Sequence, residues 1–152
     1  MSVSTRTATE ADLPTLHAFE QGVVAAERAY DPTIADDPVR YYDFDRLLHS
    51  PDAEVVVAEL DGEIVGSGYV RIDAAEPFLR HRHHGYLGFM YVRPAHRGRG
   101  INRLVIAALE RWARSRGLTE LRLEVFLHNR DAVRAYERAG FTEHLLEMRK
   151  PI

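Results

Sequence analysis

Gly85 to Trp112 reads GYLGFMYVRPAHRGRGINRLVIAALERW. Gly85 to Val92 is almost continuously apolar, which predicts a central strand covered on both faces. Arg97-Gly98-Arg99-Gly100 then turns the chain. From Gly100 the apolar positions Ile101, Leu104, Val105, Ala108, Leu109 and Trp112 recur at helical spacing, and Glu110 with Arg114 forms a supportive i,i+4 pair. A strand that feeds a helix through such a turn leaves the first helical N–H groups without intrahelical partners, aligned and backed by the positive end of the helix dipole. The stretch is a cradle for phosphate. It is not a P-loop, since G-x-x-x-x-G-K-S/T is absent, and the dinucleotide fingerprint G-x-G-x-x-G does not fit.

Working back from this stretch, Asp73 to His84 has little periodicity and is expected to be a mobile loop. Glu54 to Leu60 and Glu63 to Ile72, rich in Val and Ile, flank Asp61-Gly62 and predict a β-hairpin. Gly66 and Gly68 within its second strand mark a bulge or a close approach by another group. Ser4 to Ala8 is a short strand candidate. Thr9 to Asp12 matches a capping pattern for a helix over residues 12–28. After a loop from Tyr30 to Pro38, Asp37-Pro38 reads as the start of a second helix ending near His49, where Ser50-Pro51-Asp52 stops it. Working forward, Gly117 ends the long helix, and Leu121, Leu123, Val125 and Leu127 alternate as a strand. Asn129 caps a last helix with Ala132, Val133, Tyr136 and Ala139 on one face and Gly140 at its end. Phe141 to Lys150 reads as a final strand. No repeat or low-complexity tract divides the chain, so one domain over residues 1–152 is expected.

A domain of 152 residues buries roughly 70% of the surface its unfolded chain exposes, without staples. The absence of cysteine excludes disulfides, thiolate metal sites and a cysteinyl acyl-enzyme. Met1 runs into SVSTRTATEADL with no basic-then-apolar leader, and no run approaches the ~20 apolar residues of a membrane span. A cytoplasmic location is expected, with no membrane partner. Charge is unevenly placed: Asp31 to Glu63 holds ten acidic residues against Arg40 and Arg46, while Arg93 to Arg116 holds seven arginines against Glu110. One half suits a cation and the other an anion. Those arginines lack interleaved aromatics and the net charge is −3, so no nucleic-acid partner is expected. His81, His83 and His84 lie in the predicted loop without carboxylate partners at fixed spacing and read as a solvated cluster, so no metal is expected.

Arg97-Gly98-Arg99-Gly100-Ile101-Asn102 resembles the R/Q-x-x-G-x-G/A acyl-CoA signature of the GNAT N-acetyltransferases. Asn129 to Phe141, NRDAVRAYERAGF, resembles their second signature, N-x-x-A-x-x-x-Y-x-x-x-G-F. Order, separation and preceding elements match as well, so the resemblance covers essentially the whole chain. It implies an α/β (α+β) fold with a mixed, mostly antiparallel sheet of six to seven strands flanked by four helices, and acetyl-CoA as cosubstrate. Two departures stand out. Asn102 replaces the usual Gly or Ala, and the tail after Phe141 leaves room for one long strand or two very short ones.

By the same resemblance, Arg97 to Asn102 would hold the pyrophosphate. The Val92 N–H would bind the thioester carbonyl, with Met90 and Tyr91 beside the pantetheine arm. Tyr136 would reprotonate the departing thiolate, while Asn129 would bond the pantetheine amide or only cap its helix. Many members carry a glutamate on the strand before the turn, but Tyr86 to Val92 contains none. Glu124, twelve residues ahead of Tyr136, resembles the catalytic glutamate of the ribosomal-protein-alanine acetyltransferases and is the candidate base; its alternative is an ordinary outward position on a strand. The implied reaction is acetyl transfer to an amine by direct attack in a ternary complex. Tyr30, Asp31, Asp36, Asp37, Tyr41, Tyr42, Asp43 and Asp45 lie where the acceptor is expected and favour a small cationic amine or a peptide or protein amine. The competing reading is a non-catalytic acyl-CoA sensor or interaction module. Oligomeric state is not set by the sequence, and a homodimer is compatible with it.

Overall fold

The computed structural model describes residues 2–152. Five strands form one sheet in sequence order: β1 (Val3–Thr7), β2 (Ala53–Leu60), β3 (Glu63–Ala74), β4 (His83–Val92) and β5 (Leu121–Arg122). The first four are antiparallel neighbours, and β5 joins β4 in parallel. A parallel neighbour needs a crossover, which α3 (Ile101–Ser115) supplies. The remaining helices are α1 (Leu13–Glu27), α2 (Phe44–His49) and α4 (Arg130–Arg138).

Strand alternation divides the core in two. Val56 and Ala58 face α3 together with Val70 and Leu87, against Ile101, Val105 and Leu109. Val55 and Val57 point the other way with Tyr69 and Phe89, against Leu16, Phe19 and Val23 of α1 and Phe44 of α2. The glycines of β3 mark a close approach: a Cβ at Gly66 would lie 2.9 Å from Ile101 Cγ2, and one at Gly68 would lie 2.9 Å from Val105 Cγ1 and 2.6 Å from Met90 Sδ. Bare backbone there lets α3 settle directly on the sheet.

Three expectations are corrected. The second helix begins at Phe44 rather than at Asp37-Pro38, with Asp43 accepting from the Arg46 N–H at 3.0 Å. The reason is Glu20, fully buried on α1, whose Oε2 accepts the N–H groups of Tyr41 and Tyr42 at 2.8 Å each. Amides taken by that carboxylate are not available to helical carbonyls. The strand expected through Leu127 pairs only at Leu121 and Arg122. Residues 141–150 form no strand, so the sheet has five strands instead of six or seven. The tail is held by side chains, through Arg149 on Asp31 at 2.8 Å and Arg130 near Glu143 at 3.8 Å, with Leu145, Leu146 and Met148 exposed. Among the described residues, no helix is long and apolar enough to cross a membrane.

Candidate active site

The site is a wedge between two diverging segments. β4 and β5 pair only at Gly85–Leu121 and Tyr86–Arg122, after which residues 123–127 leave the sheet. A register shift opposite Ser67 to Tyr69, with Phe89 at φ 57°, bends β4 just beyond that seam. The Arg93 N–H donates to the Val65 carbonyl at 2.9 Å. By antiparallel alternation, the N–H and C=O of Val92 therefore point away from β3 into the wedge. The Val92 carbonyl accepts from Arg97 Nε at 3.0 Å, which folds the turn back over this edge.

Met90 and Tyr91 contribute side chains to packing on opposite faces. Met90 lies under α3, and Tyr91 packs on Phe19 at 4.7 Å and over Gly22 of α1. Gly98 and Gly100 adopt φ of 78° and 77°, a left-handed conformation that glycine enters at no steric cost. Gly100 is the N-cap of α3 and offers no side-chain acceptor, so the first-turn amides of Ile101, Asn102 and Arg103 face the turn uncapped. Arg99 and Arg103 are exposed and form no ion pair among the described residues. Such a corner offers an anion both unpaired backbone donors and positive charge.

Tyr136 lies on α4 against the α3-side core, edge-on to Phe141 at 6.0 Å. Burial, with the charge of Glu27 added, pushes its phenol up to about 12, so it stays protonated near neutrality. Asn129 caps α4, its Oδ1 accepting from the Ala132 N–H at 3.3 Å; the side-chain amide remains free to donate. Glu124 is exposed and accepts from the Tyr86 hydroxyl at 3.0 Å. The Tyr86 ring carries the Arg71 guanidinium 4.4 Å above it, and burial with Glu124 raises its pKa well beyond the usual phenol range.

The acidic stretch is more self-paired than its composition suggests. Asp31 is bound by Arg149 and Thr33 and held down at about 2, Asp37 pairs with Arg28 at 2.9 Å, Asp43 caps α2, and Asp45 lies 3.3 Å from His49. Tyr42 is half-buried among Phe44, Tyr69 and Phe89, while Tyr30 stacks on Phe126 at 5.8 Å and bridges α1 to the diverging segment. Glu27 was missed by sequence reasoning. Burial raises its pKa against the lowering effect of the Tyr41 hydroxyl, and its charge is felt at Tyr136. The available signal was Glu20 within the apolar stripe of α1: Glu27 is seven residues on, two turns along the same face.

The histidines divide as well. His83 is exposed, but His84 is buried in β4, and Glu120 supplies the carboxylate that local spacing lacked. They lie at the opposite end of β4 from Val92, where an open hollow of about 560 Å³ is lined by His81, His83, Arg116 and Leu118 among others. That hollow is far along the sheet from the wedge.

The profile of the Acetyltransferase (GNAT) family matches residues 18–141. This chain belongs to that family. An aminoglycoside N(6')-acetyltransferase type 1 of Klebsiella aerogenes is 33% identical over 96 residues, 61% of each chain. An IAA acetyltransferase of Azospirillum brasilense is 31% identical over 98 residues, 64% of this chain and 60% of its own. The match to these curated relatives thus spans about three fifths of their length. Among solved structures, a predicted acetyltransferase from Clostridium acetobutylicum determined with acetyl-CoA superposes at a TM-score of 0.76, 23% identical, over 97% of this chain and 96% of its own. An aminoglycoside acetyltransferase bound to the bisubstrate analogue CoA-S-monomethyl-acetylneamine superposes at 0.74, 20% identical, over the whole of both chains. At these identities the structural likeness is one of fold, and the GNAT assignment rests on the profile.

Proposed function

We propose that this GNAT chain transfers an acetyl group from acetyl-CoA to a primary amine by direct attack in a ternary complex. The observation that carries the proposal is the wedge, where an unpaired β4 edge ends beside an uncapped, glycine-rich helix start. The amides of the Arg97 to Asn102 turn and α3 take the pyrophosphate, and Arg99 and Arg103 add charge. Asn102, on the first turn of α3, adds a side-chain donor there. The Val92 N–H faces the thioester carbonyl and stabilises the oxygen as negative charge develops. Met90 and Tyr91 hold that edge in place through their packing, and Asn129 offers its free amide donor to the pantetheine arm.

The neutral amine nitrogen attacks the thioester carbon, the C–S bond breaks, the amine gives up one proton and the thiolate takes one. Glu124, alone or through a water chain, receives the amine proton, with Glu27 as a second carboxylate on the acceptor side. Tyr136 donates toward sulfur. From a pKa of about 12, outright transfer to a thiolate whose conjugate acid lies near 8.5 runs uphill by roughly 3.5 units, or ~5 kcal/mol. The phenol therefore acts as a hydrogen-bond donor while the bond breaks, and the proton shed by the amine balances the product.

The acceptor is a small cationic amine or a peptide or protein amine, supported by Glu27, Glu124 and the Tyr30 and Tyr41 rings around the wedge. Aminoglycosides, named for the Klebsiella relative, fall within that class. The test is thiol release from acetyl-CoA against a panel of polyamines, amino acids, aminoglycosides, peptides and sugar phosphates. Turnover on cationic amines is expected. Tight acetyl-CoA binding with no thiol release from any amine would establish a sensor instead, and preference for anionic sugar phosphates would overturn the acceptor class.

A further inference from the structure

His81, His84 and Glu120 come from three places: the β3–β4 loop, the start of β4, and the residue before β5. One ligand-capable atom from each lies within 4.8 Å of the others. His84 is only 9% exposed, and its Nδ1 is buried without a hydrogen-bond partner. His81 Nε2 is also buried and unpartnered; Glu120 Oε1 lies 3.2 Å away but is not aligned for a hydrogen bond. Two buried imidazole nitrogens without hydrogen-bond partners, on residues clustered with one carboxylate, are an unusual arrangement in a protein interior. It has a simple geometric reading. An ion with bonds of about 2.0–2.1 Å in tetrahedral array keeps its ligand atoms about 3.3 Å apart.

We propose that His81, His84 and Glu120 form a binding site for a divalent transition-metal ion of the zinc class, with water completing the coordination. Two imidazoles and one carboxylate suit zinc and its neighbours, whereas magnesium and calcium prefer all-oxygen sets. Arg122 Nε donates to Glu120 Oε1 at 2.6 Å. That contact keeps the carboxylate ionised and orients it, as outer partners of metal ligands do, while its second oxygen stays free. Across the same seam the Gly85 N–H donates to the Glu120 carbonyl at 2.9 Å. The ion therefore clasps the closed end of the wedge. It lies at the far end of β4 from Val92 and takes no part in acyl transfer.

The test uses tag-free, chelator-treated protein, titrated with zinc chloride by calorimetry and followed by thermal melting, with magnesium chloride as comparison. One equivalent of zinc is expected to bind and raise Tm, and magnesium to do neither. His81→Ala and Glu120→Gln are expected to weaken zinc binding at least tenfold and to remove the Tm rise, whereas His83→Ala, at the start of β4 but outside the cluster, keeps both. Glu120→Gln preserves the shape of the site, so it decides the matter if His81→Ala fails to fold. No zinc binding by the parent chain, undiminished binding in Glu120→Gln, or loss in His83→Ala would overturn the proposal.

Discussion

Tyr136 and Glu27 are coupled through charge but differ in what replacing them should do. Tyr136→Phe keeps the ring on Phe141 and removes the donor, so kcat should fall about 10²-fold with Tm little changed, read by thiol release and thermal melting. A drop in Tm matching the drop in rate would make the residue a packing element only. For Glu27, burial raises the folded pKa above the unfolded value near 4.5, so its contribution to stability is present below that value and lost as pH rises through the folded pKa. Above that folded pKa the ionised side chain is a cost. Glu27→Gln is thus expected to hold or raise Tm at pH 7 while lowering kcat. Glu124→Gln should lower kcat mainly at low pH, where the amine most needs a base, and leave acetyl-CoA affinity intact. Whichever variant leaves the pH–rate profile untouched is not the base. Tyr136 was legible because its helix carries a motif. For Glu27 the spacing from Glu20 marked only its helix face, and Tyr41, part of its surroundings, is brought near only by the folded loop from Tyr30 to Asp43.

Among the elements, the turn into α3 and the entry into α1 are held by opposite means. Gly100 sits at φ 77° with open space where a Cβ would project, so Gly100→Ala costs ~1–2 kcal/mol by backbone strain alone. The same change should weaken acetyl-CoA binding, measured by calorimetry, since the strain is relieved by moving the amides that form the cradle. At α1, Asp12 accepts from Arg6 at 2.8 and 2.9 Å and from the Thr9 N–H at 2.8 Å, and these bonds hold its pKa below the usual 3.8. A depressed carboxylate stabilises above its unfolded pKa, and that stability is lost as pH falls through the folded value. Asp12→Asn should therefore cost about 1–3 kcal/mol in urea melts at pH 7, with the gap to the parent narrowing below pH 4. The hairpin, the central strand and α3 were readable because each is set by local pattern and a turn. The start of α2, the length of β5 and the missing last strand were not, since each depends on a distant partner. Glu20 claims the amides at Tyr41 and Tyr42, and β5, whose outer side is an edge of the sheet, is only two residues long and residues 141–150 do not pair with it.

For the molecule as a whole, the charge asymmetry resolves into a largely paired acidic half and a basic half in which Arg93, Arg114 and Arg116 are paired and the helix-start arginines are open. Asp31, Asp37 and Asp43 are spent on Arg149, Arg28 and the α2 cap, whereas Arg99 and Arg103 have no ion-pair partner among the described residues. KM for acetyl-CoA should accordingly rise with salt, and Arg103→Ala should raise it at low salt and flatten that dependence; a KM indifferent to salt would leave recognition to the backbone alone. Composition alone displayed both charge runs, but pairing is a property of the fold.

The seam at Gly85 also has a mechanical meaning. A Cβ there would come within 2.7 Å of Leu121 Cδ2 and 3.0 Å of Val70 Cγ2. Gly85 is thus the pivot of a pair of shears whose blades are β4 and the segment after β5. The opening proposed for acetyl-CoA thus starts from a hinge that has no room for a side chain, at the opposite end of β4 from Val92.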